Sequence, residues 1–255
     1  MNDNSHFQVK NKLLNAISAG ALERLRPLLE RVDLPLGTVI CGADEPITHV
    51  YFPEDAMASV VATTVDGQGA EVAVIGSEGA VGLAVILGAE TTPYETLIQL
   101  NGSGYRLKTA DIRTEFERQG TLHGELLAFT QQFIVQISQT ALCNRLHSIE
   151  QRLSRWLLMC RDRSVNDMMP LTQEFLSIML GSNRTTVTLT AIELQKLGLI
   201  RYSRGKMVIT DRKGLEGFTC SCYDVIRKAY ESEPATLPDK FETARDGKEP
   251  NFASS

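Results

Sequence analysis

Long apolar runs are missing from this sequence: none approaches the roughly 20 residues needed to cross a bilayer. Its opening, Met1-Asn2-Asp3-Asn4-Ser5-His6, lacks the basic segment and apolar stretch of a secretory leader. A soluble, cytoplasmic protein without a membrane partner is expected. Histidine is scarce. None of the four (His6, His49, His123, His147) sits in a His-Glu-x-x-His metal-ligand spacing. The glycines at 76, 79 and 82 are not followed by Gly-Lys-Ser/Thr, and no Gly-x-Ser-x-Gly elbow is present. These absences leave the common enzyme classes without a motif, so no catalytic residue and no cofactor is expected. The five cysteines are scattered and odd in number, which argues against a disulfide framework in a chain without an export signal. Only Cys220-Ser221-Cys222 is close-spaced. One intervening residue is not the usual structural zinc spacing, so the pair reads as free thiols near a helix start rather than a metal or redox site.

What is present is ordinary globular material: 255 residues, 43% hydrophobic and 22% charged, enough for two domains. The net charge of −5 is unevenly spread. Residues 145–213 hold 12 Lys/Arg against 6 Asp/Glu, a local +6, which leaves −11 on the remainder. A basic segment on an acidic chain marks where a polyanion would bind.

Texture divides the chain. An amphipathic stretch before residue 34 (Leu13, Leu14, Ile17, Leu22, Leu25, Leu28, Leu29) predicts one or two short helices. From Leu34 to Leu107, short β-prone runs such as Val50-Tyr51-Phe52, Ala58–Ala62 and Glu71–Ile75 alternate with turn signals, the pattern of a sandwich or small barrel. Asp111 can cap a short helix, and a long one should follow from about Leu122 to Arg145. Its Leu122, Leu126, Phe129, Phe133 and Ile137 recur at near-coiled-coil steps. That seam lies either on its own domain or against a second copy; its length between two domains favours the copy, and these five residues are the expected dimer interface. The composition after Glu231, with Pro234, Pro238 and Pro250, predicts a disordered tail over 232–255.

The segment Leu171 to Thr188 carries the functional signal. Thr172 is a good N-cap, Leu180-Gly181-Ser182 makes a tight break, and Ser182 or Asn183 can cap a second helix that runs to Leu197 before Gly198. Val187, Ala191 and Leu194 fall on one face, whereas Arg184, Thr185 and Thr188 fall on the other near the N-terminus. A recognition helix needs this division, because its first turns enter the major groove. Arg184 would read guanine, while Asn183 and Thr186 would hold phosphates. Two β-prone runs around Ser203-Arg204-Gly205-Lys206 then form a basic wing, with Arg201, Arg204 and Lys206 set against the polyanion. The expected DNA-binding set is Thr172, Ser182, Asn183, Arg184, Thr185, Thr186, Thr188, Arg201, Arg204 and Lys206. The alternative is a ligand-sensing module whose C-terminal domain contacts a protein rather than DNA.

Taken in order, His147–Leu153, Trp156-Leu157-Leu158, Leu171–Glu174, Leu180-Gly181 and Leu199-Ile200 resemble the Crp/Fnr family of bacterial transcription regulators over about residues 10–230. The resemblance implies an α+β chain. Residues 10–120 would form an N-terminal double-stranded β-helix or jelly-roll sensor of the cyclic-nucleotide-binding type, 121–146 a dimerisation helix, and 147–231 a C-terminal winged helix-turn-helix. It further implies a homodimer on an inverted-repeat duplex, RNA polymerase as a partner, and an effector pocket around Glu78, Gly79, Gly82 and Leu83. Two departures matter. Thr185 and Leu189 stand where the family often has Glu and a second Arg, so no operator sequence is implied. Residues 88–96 contain no Arg or Lys to hold a cyclic phosphate, so cyclic AMP is not the expected effector. No cysteine precedes Cys41, which argues against the N-terminal iron–sulfur cluster of oxygen-sensing members.

Overall fold

The computed structural model describes residues 9–232. Beyond Ser232, the expectation of a disordered tail lies outside the described residues. Two short helices, α1 (Lys12–Ala16) and α2 (Ala19–Leu25), open the fold. Asn11 caps α1 by accepting the Leu14 amide, and its own amide donates to the Pro53 and Gly79 carbonyls at 2.8 and 2.9 Å. This fully buried side chain ties the helix to the sheets beneath it.

Seven strands follow: β1 (Glu30–Leu34), β2 (Val39–Cys41), β3 (His49–Pro53), β4 (Met57–Thr63), β5 (Gly69–Ile75), β6 (Glu95–Leu100) and β7 (Gly102–Lys108). They form two antiparallel sheets in the orders β1-β7-β3 and β2-β6-β4-β5. Alternating side chains from both sheets, among them Leu34, Val50, Phe52, Leu107, Ala58, Val60, Ala73 and Ile98, share one core. This is the expected roll.

Helix α3 (Thr109–Glu117) begins without a side-chain cap. Asp111, expected as the cap, sits instead in the first turn, where a carboxylate suits the helix dipole. Helix α4 (Thr121–Leu146) is the long one, about 39 Å at 1.5 Å per residue. The expected seam on it needs correcting. Leu122, Leu126 and Phe129 are buried in the protomer's own roll core, with Phe133 and Ile137 packed against the same core. A heptad-like apolar spacing shows that a helix face is covered but not by what, and here the roll covers it. Gly79 records how close the approach is, since a Cβ there would stand 2.0 Å from the Phe129 ring. The opposite side of α4 carries exposed Leu127, Ile134 and Leu142.

The C-terminal head comprises α5 (Ile149–Arg163), β8 (Met168–Pro170), α6 (Gln173–Met179), α7 (Arg184–Lys196), β9 (Ile200–Ser203), β10 (Lys206–Ile209), α8 (Arg212–Phe218) and α9 (Cys222–Glu231). Ser148 and Gln151 form a capping box at the start of α5. Helix α9, which begins at Cys222, returns along α4 and brings Tyr230 to Phe129 and Gln136.

The head does not stand free of the roll. Met57, Val61, Val74 and Leu100 on the outer face of the four-stranded sheet share a single core with Trp156, Leu157, Leu176 and Val187 of the head. Two β-bulges shape this junction. The register shift at Val60/Val61 leaves Val72 unpaired and turns Glu71 outward beside Ser59, and the shift at Met57/Ala58 does the same for Gln99. Trp156 Nε1 then donates to Glu71 Oε1 at 2.7 Å, and Glu71 Oε2, Ser59, Gln99 and Cys160 continue the bonded chain. Trp156 is thus buried at the seam between roll and head.

Candidate nucleic-acid interface

The helix-turn-helix assembles from local rules. Thr172 Oγ1 accepts the Phe175 amide and starts α6; Asn183 Oδ1 accepts the Thr186 amide at 2.8 Å and starts α7. Of the two candidate caps, Asn183 therefore does the capping, and Ser182 instead bonds its own amide to the Ser177 carbonyl. Gly181 has φ +52° and lies against Ala70 of β5, and the left-handed backbone of the turn is what calls for glycine. Arg152 of α5 donates to the Leu180 carbonyl, which closes the end of α6. Val187, Ala191 and Leu194 are buried beneath α7.

On the outward face, Arg184 and Thr185 are exposed and Thr188 is half-buried, its hydroxyl donating back to the Arg184 carbonyl. Leu189 and Ile192 continue this face and are exposed. Thr186 is half-buried at the cap. The wing is a tight hairpin in which Ser203 pairs with Lys206, and Arg204 and Gly205 both take positive φ, the type I′ pattern. Arg201, Arg204 and Lys206 are all exposed on it. Tyr202 fixes the wing to the helices: its hydroxyl donates to the Leu171 carbonyl at 3.0 Å, and its amide donates to Gln195 Oε1. Burial raises the Tyr202 pKa, and the nearby Arg184 guanidinium opposes that rise, so the first turn of α7 and the wing share one electrostatic neighbourhood. Sequence reasoning misses Tyr202, Gln195 and Arg152. Their only signal is polar chemistry next to apolar positions, which does not reveal partners distant in sequence.

The local +6 overstates the free positive surface. Arg152 is used on the Leu180 carbonyl, Arg155 is buried, and Arg163 is paired with Glu78 at 2.6 Å. Among the described residues, Arg184, Lys196, Arg201, Arg204 and Lys206 form no ion pair, and these five define the cationic face.

The residues expected around an effector are differently employed. Glu78 borders a cavity of about 330 Å³, but its carboxylate is tied to Arg163. Gly79 is pressed by Phe129, Gly82 holds a left-handed turn at φ +101°, and Leu83 is buried in the core. An effector at these four positions would have to displace Phe129 and break the Arg163 pair. Beside the loop at 88–96, where the sequence offers no cation, Arg113 arrives from α3; its guanidinium bonds the Val85 and Ala89 carbonyls.

Among the described residues, no helix is long and apolar enough to cross a membrane. No curated protein matches the chain. Several solved structures do. FixK2 from Bradyrhizobium japonicum aligns with a TM-score of 0.65 at 18% identity, covering 75% of this chain and 98% of that one. The c-di-GMP responsive global regulator CLP of Xanthomonas campestris aligns at 0.61 and 14%, covering 76% and 100%. A Crp-family transcriptional regulator from Thermus thermophilus aligns at 0.60 and 15%, covering 81% and 98%. At these identities the likeness concerns the fold. Residues 151–218, spanning α5 to α8, match the family of Crp-like helix-turn-helix domains. The chain thus has the fold of the Crp/Fnr transcription regulators, and residues 151–218 of its head match the Crp-like helix-turn-helix domain.

Proposed function

We propose that the protein is a cytoplasmic transcription regulator that binds an inverted-repeat duplex as a homodimer, rather than an enzyme or a module acting through protein contacts alone. The carrying observation is the exposed Arg184 in the first turn of α7, flanked by a wing with three more exposed cations, none of the four in an ion pair among the described residues. A helix N-terminus with an outward Arg suits the major groove, where Arg pairs bidentately with guanine O6 and N7. Thr185 and Thr188 share the face, and exposed Leu189 suits a thymine methyl. Asn183, Thr186 and Ser182 stand by the cap amides, where phosphates bind, while Thr172, close to Gly205, supports the base of the wing. Replacing Arg184 with Ala should cost about 1–3 kcal/mol of specific affinity and relax one base position in each half-site. Unchanged footprints and affinity would remove the assignment.

The second copy is assigned to the outer face of α4, through Leu127, Ile134 and Leu142, because the inner face is already covered. Pairing there would set two recognition helices about one DNA turn, roughly 34 Å, apart. Ile134→Asp should give monomers in sedimentation and weak operator binding. Phe133→Asp should instead destabilise the protomer, since Phe133 packs on the roll. An Ile134→Asp variant that remains dimeric contradicts this face. RNA polymerase is the further partner that the fold suggests, and the effector is left unassigned.

A further inference from the structure

Where α4 meets the head, three cysteines and a histidine converge. Cys143 lies in the last full turn of α4, His147 caps that helix four residues on, and Cys220 and Cys222 flank the start of α9. We propose that Cys143, His147, Cys220 and Cys222 form a mononuclear, tetrahedral zinc site that locks the junction between α4 and the head.

The geometry carries the proposal. The Sγ atoms of Cys143 and Cys220 are 3.5 Å apart, and Cys222 Sγ is 3.5 Å from His147 Nδ1. All four ligand atoms lie within 4.8 Å of one another. Zinc bonds of about 2.3 Å to sulfur and 2.0–2.1 Å to nitrogen require tetrahedron edges of roughly 3.8 Å between sulfurs and 3.6 Å between sulfur and nitrogen. The observed contacts need to open only slightly around an ion. Iron–sulfur clusters spread their cysteines more widely, so the spacing selects a single ion. A soft three-thiolate, one-imidazole set belongs to zinc rather than to calcium or magnesium.

The surroundings agree. The three cysteines are buried and form a cluster of their own, apart from the aliphatic cores, whereas apolar packing alone would call for aliphatic neighbours. Arg155 is buried close by, interacts electrostatically with Cys143 and Cys222, leaves its Nε without a partner, and forms no ion pair among the described residues. Zinc with three thiolates and a neutral imidazole carries a net charge of −1, which that guanidinium would offset. The single-residue gap in Cys220-Ser221-Cys222 hid the site, because its other half comes from residues some 75 positions earlier.

Loading is a proton exchange. Zinc replaces the thiol protons of the three cysteines, up to three per ion, with no change of oxidation state. The test uses the full chain, reduced, stripped with a chelator and titrated with Zn²⁺ and separately with Co²⁺. The expected result is one ion per chain, proton release on zinc uptake, and intense visible cobalt bands of a tetrahedral site with thiolate charge transfer. Cys220→Ser and the milder His147→Ala, at a partly exposed position, should each weaken zinc binding by more than the roughly 10–100-fold typical of outer-shell changes. Weak pale-pink cobalt, binding unaltered in both variants, or a Cys143–Cys220 disulfide in place of metal uptake would overturn the site. If Cys220→Ser fails to fold, the cobalt spectrum and the His147→Ala titration still decide.

Discussion

Replacing Trp156 with Ala should lower the unfolding free energy by about 3–5 kcal/mol, among the larger effects of any single change in this chain. Trp156 is 2% exposed and stands where α5 meets both the outer sheet of the roll and Phe175 of α6. Its removal opens a cavity between two structural units and also takes away the indole N–H that serves Glu71. Trp156→Phe separates the two contributions. The ring is largely kept, but Glu71 Oε1 is left without that donor, which costs about 1–3 kcal/mol. Urea unfolding at fixed pH gives both numbers. A change below about 1 kcal/mol for Trp156→Ala would mean that the roll and head are not joined through this residue.

The second large effect concerns Glu71. Burial raises its pKa to about 7, against opposing bonds from Ser59 and Trp156 and the charges of Arg155 and Arg163. The hydrogen bonds are compatible with the protonated form. Ser59 has one hydroxyl proton but lies within bonding distance of both Glu71 Oε2 and Gln99 Oε1. Each of these bonds has a donor if Glu71 donates to Ser59, Ser59 donates to Gln99, and the Gln99 amide faces Cys160. A folded pKa above the unfolded value of 4.5 means that the native state holds this proton more tightly. The corresponding stability is complete below about pH 4.5, declines as pH rises, and is lost above about pH 7. Each tenfold difference in proton affinity between the folded and unfolded chain is worth about 1.4 kcal/mol, so roughly 3–4 kcal/mol is at stake. Glu71→Gln reproduces the protonated pattern, with Nε2 donating to Ser59 and Oε1 accepting from Trp156. It should therefore flatten the slope of stability between pH 4.5 and 7 and be more stable than the parent at pH 8. Parallel pH profiles for parent and variant would contradict a buried neutral Glu71.

Much of this architecture is legible in the sequence where the cause is local. The caps Thr172 and Asn183, the break at Gly181, the stop at Gly198 and the turn at Arg204-Gly205 each encode their element directly, and all five occupy those places. The buried triplet Val187, Ala191 and Leu194 follows from helical period alone. What escaped depends on distant partners. The stripe Leu122, Leu126 and Phe129 has the same spacing whether a roll or a second helix covers it. The cations Arg152, Arg155 and Arg163 add to the local charge of the sequence, yet the fold turns them inward. Glu71 looks like a strand residue that should point into the roll with Ala73, and only the bulge at Val72 sends it to the head. Glu78 and Gly79, expected near an effector, are instead committed to Arg163 and Phe129.

The most direct test of the central claim is the salt dependence of binding to an inverted-repeat duplex selected from a random pool. The five outward cations of the head that form no ion pair among the described residues, of which a dimer would place most near phosphates, predict a log–log slope of affinity against salt of roughly −4 to −9. They also predict that removing Arg204 and Lys206 makes the slope shallower by about one for each phosphate no longer gripped. Failure of the pool to enrich any inverted repeat, together with a slope near zero, would contradict a head that grips duplex DNA through Arg184 and the wing.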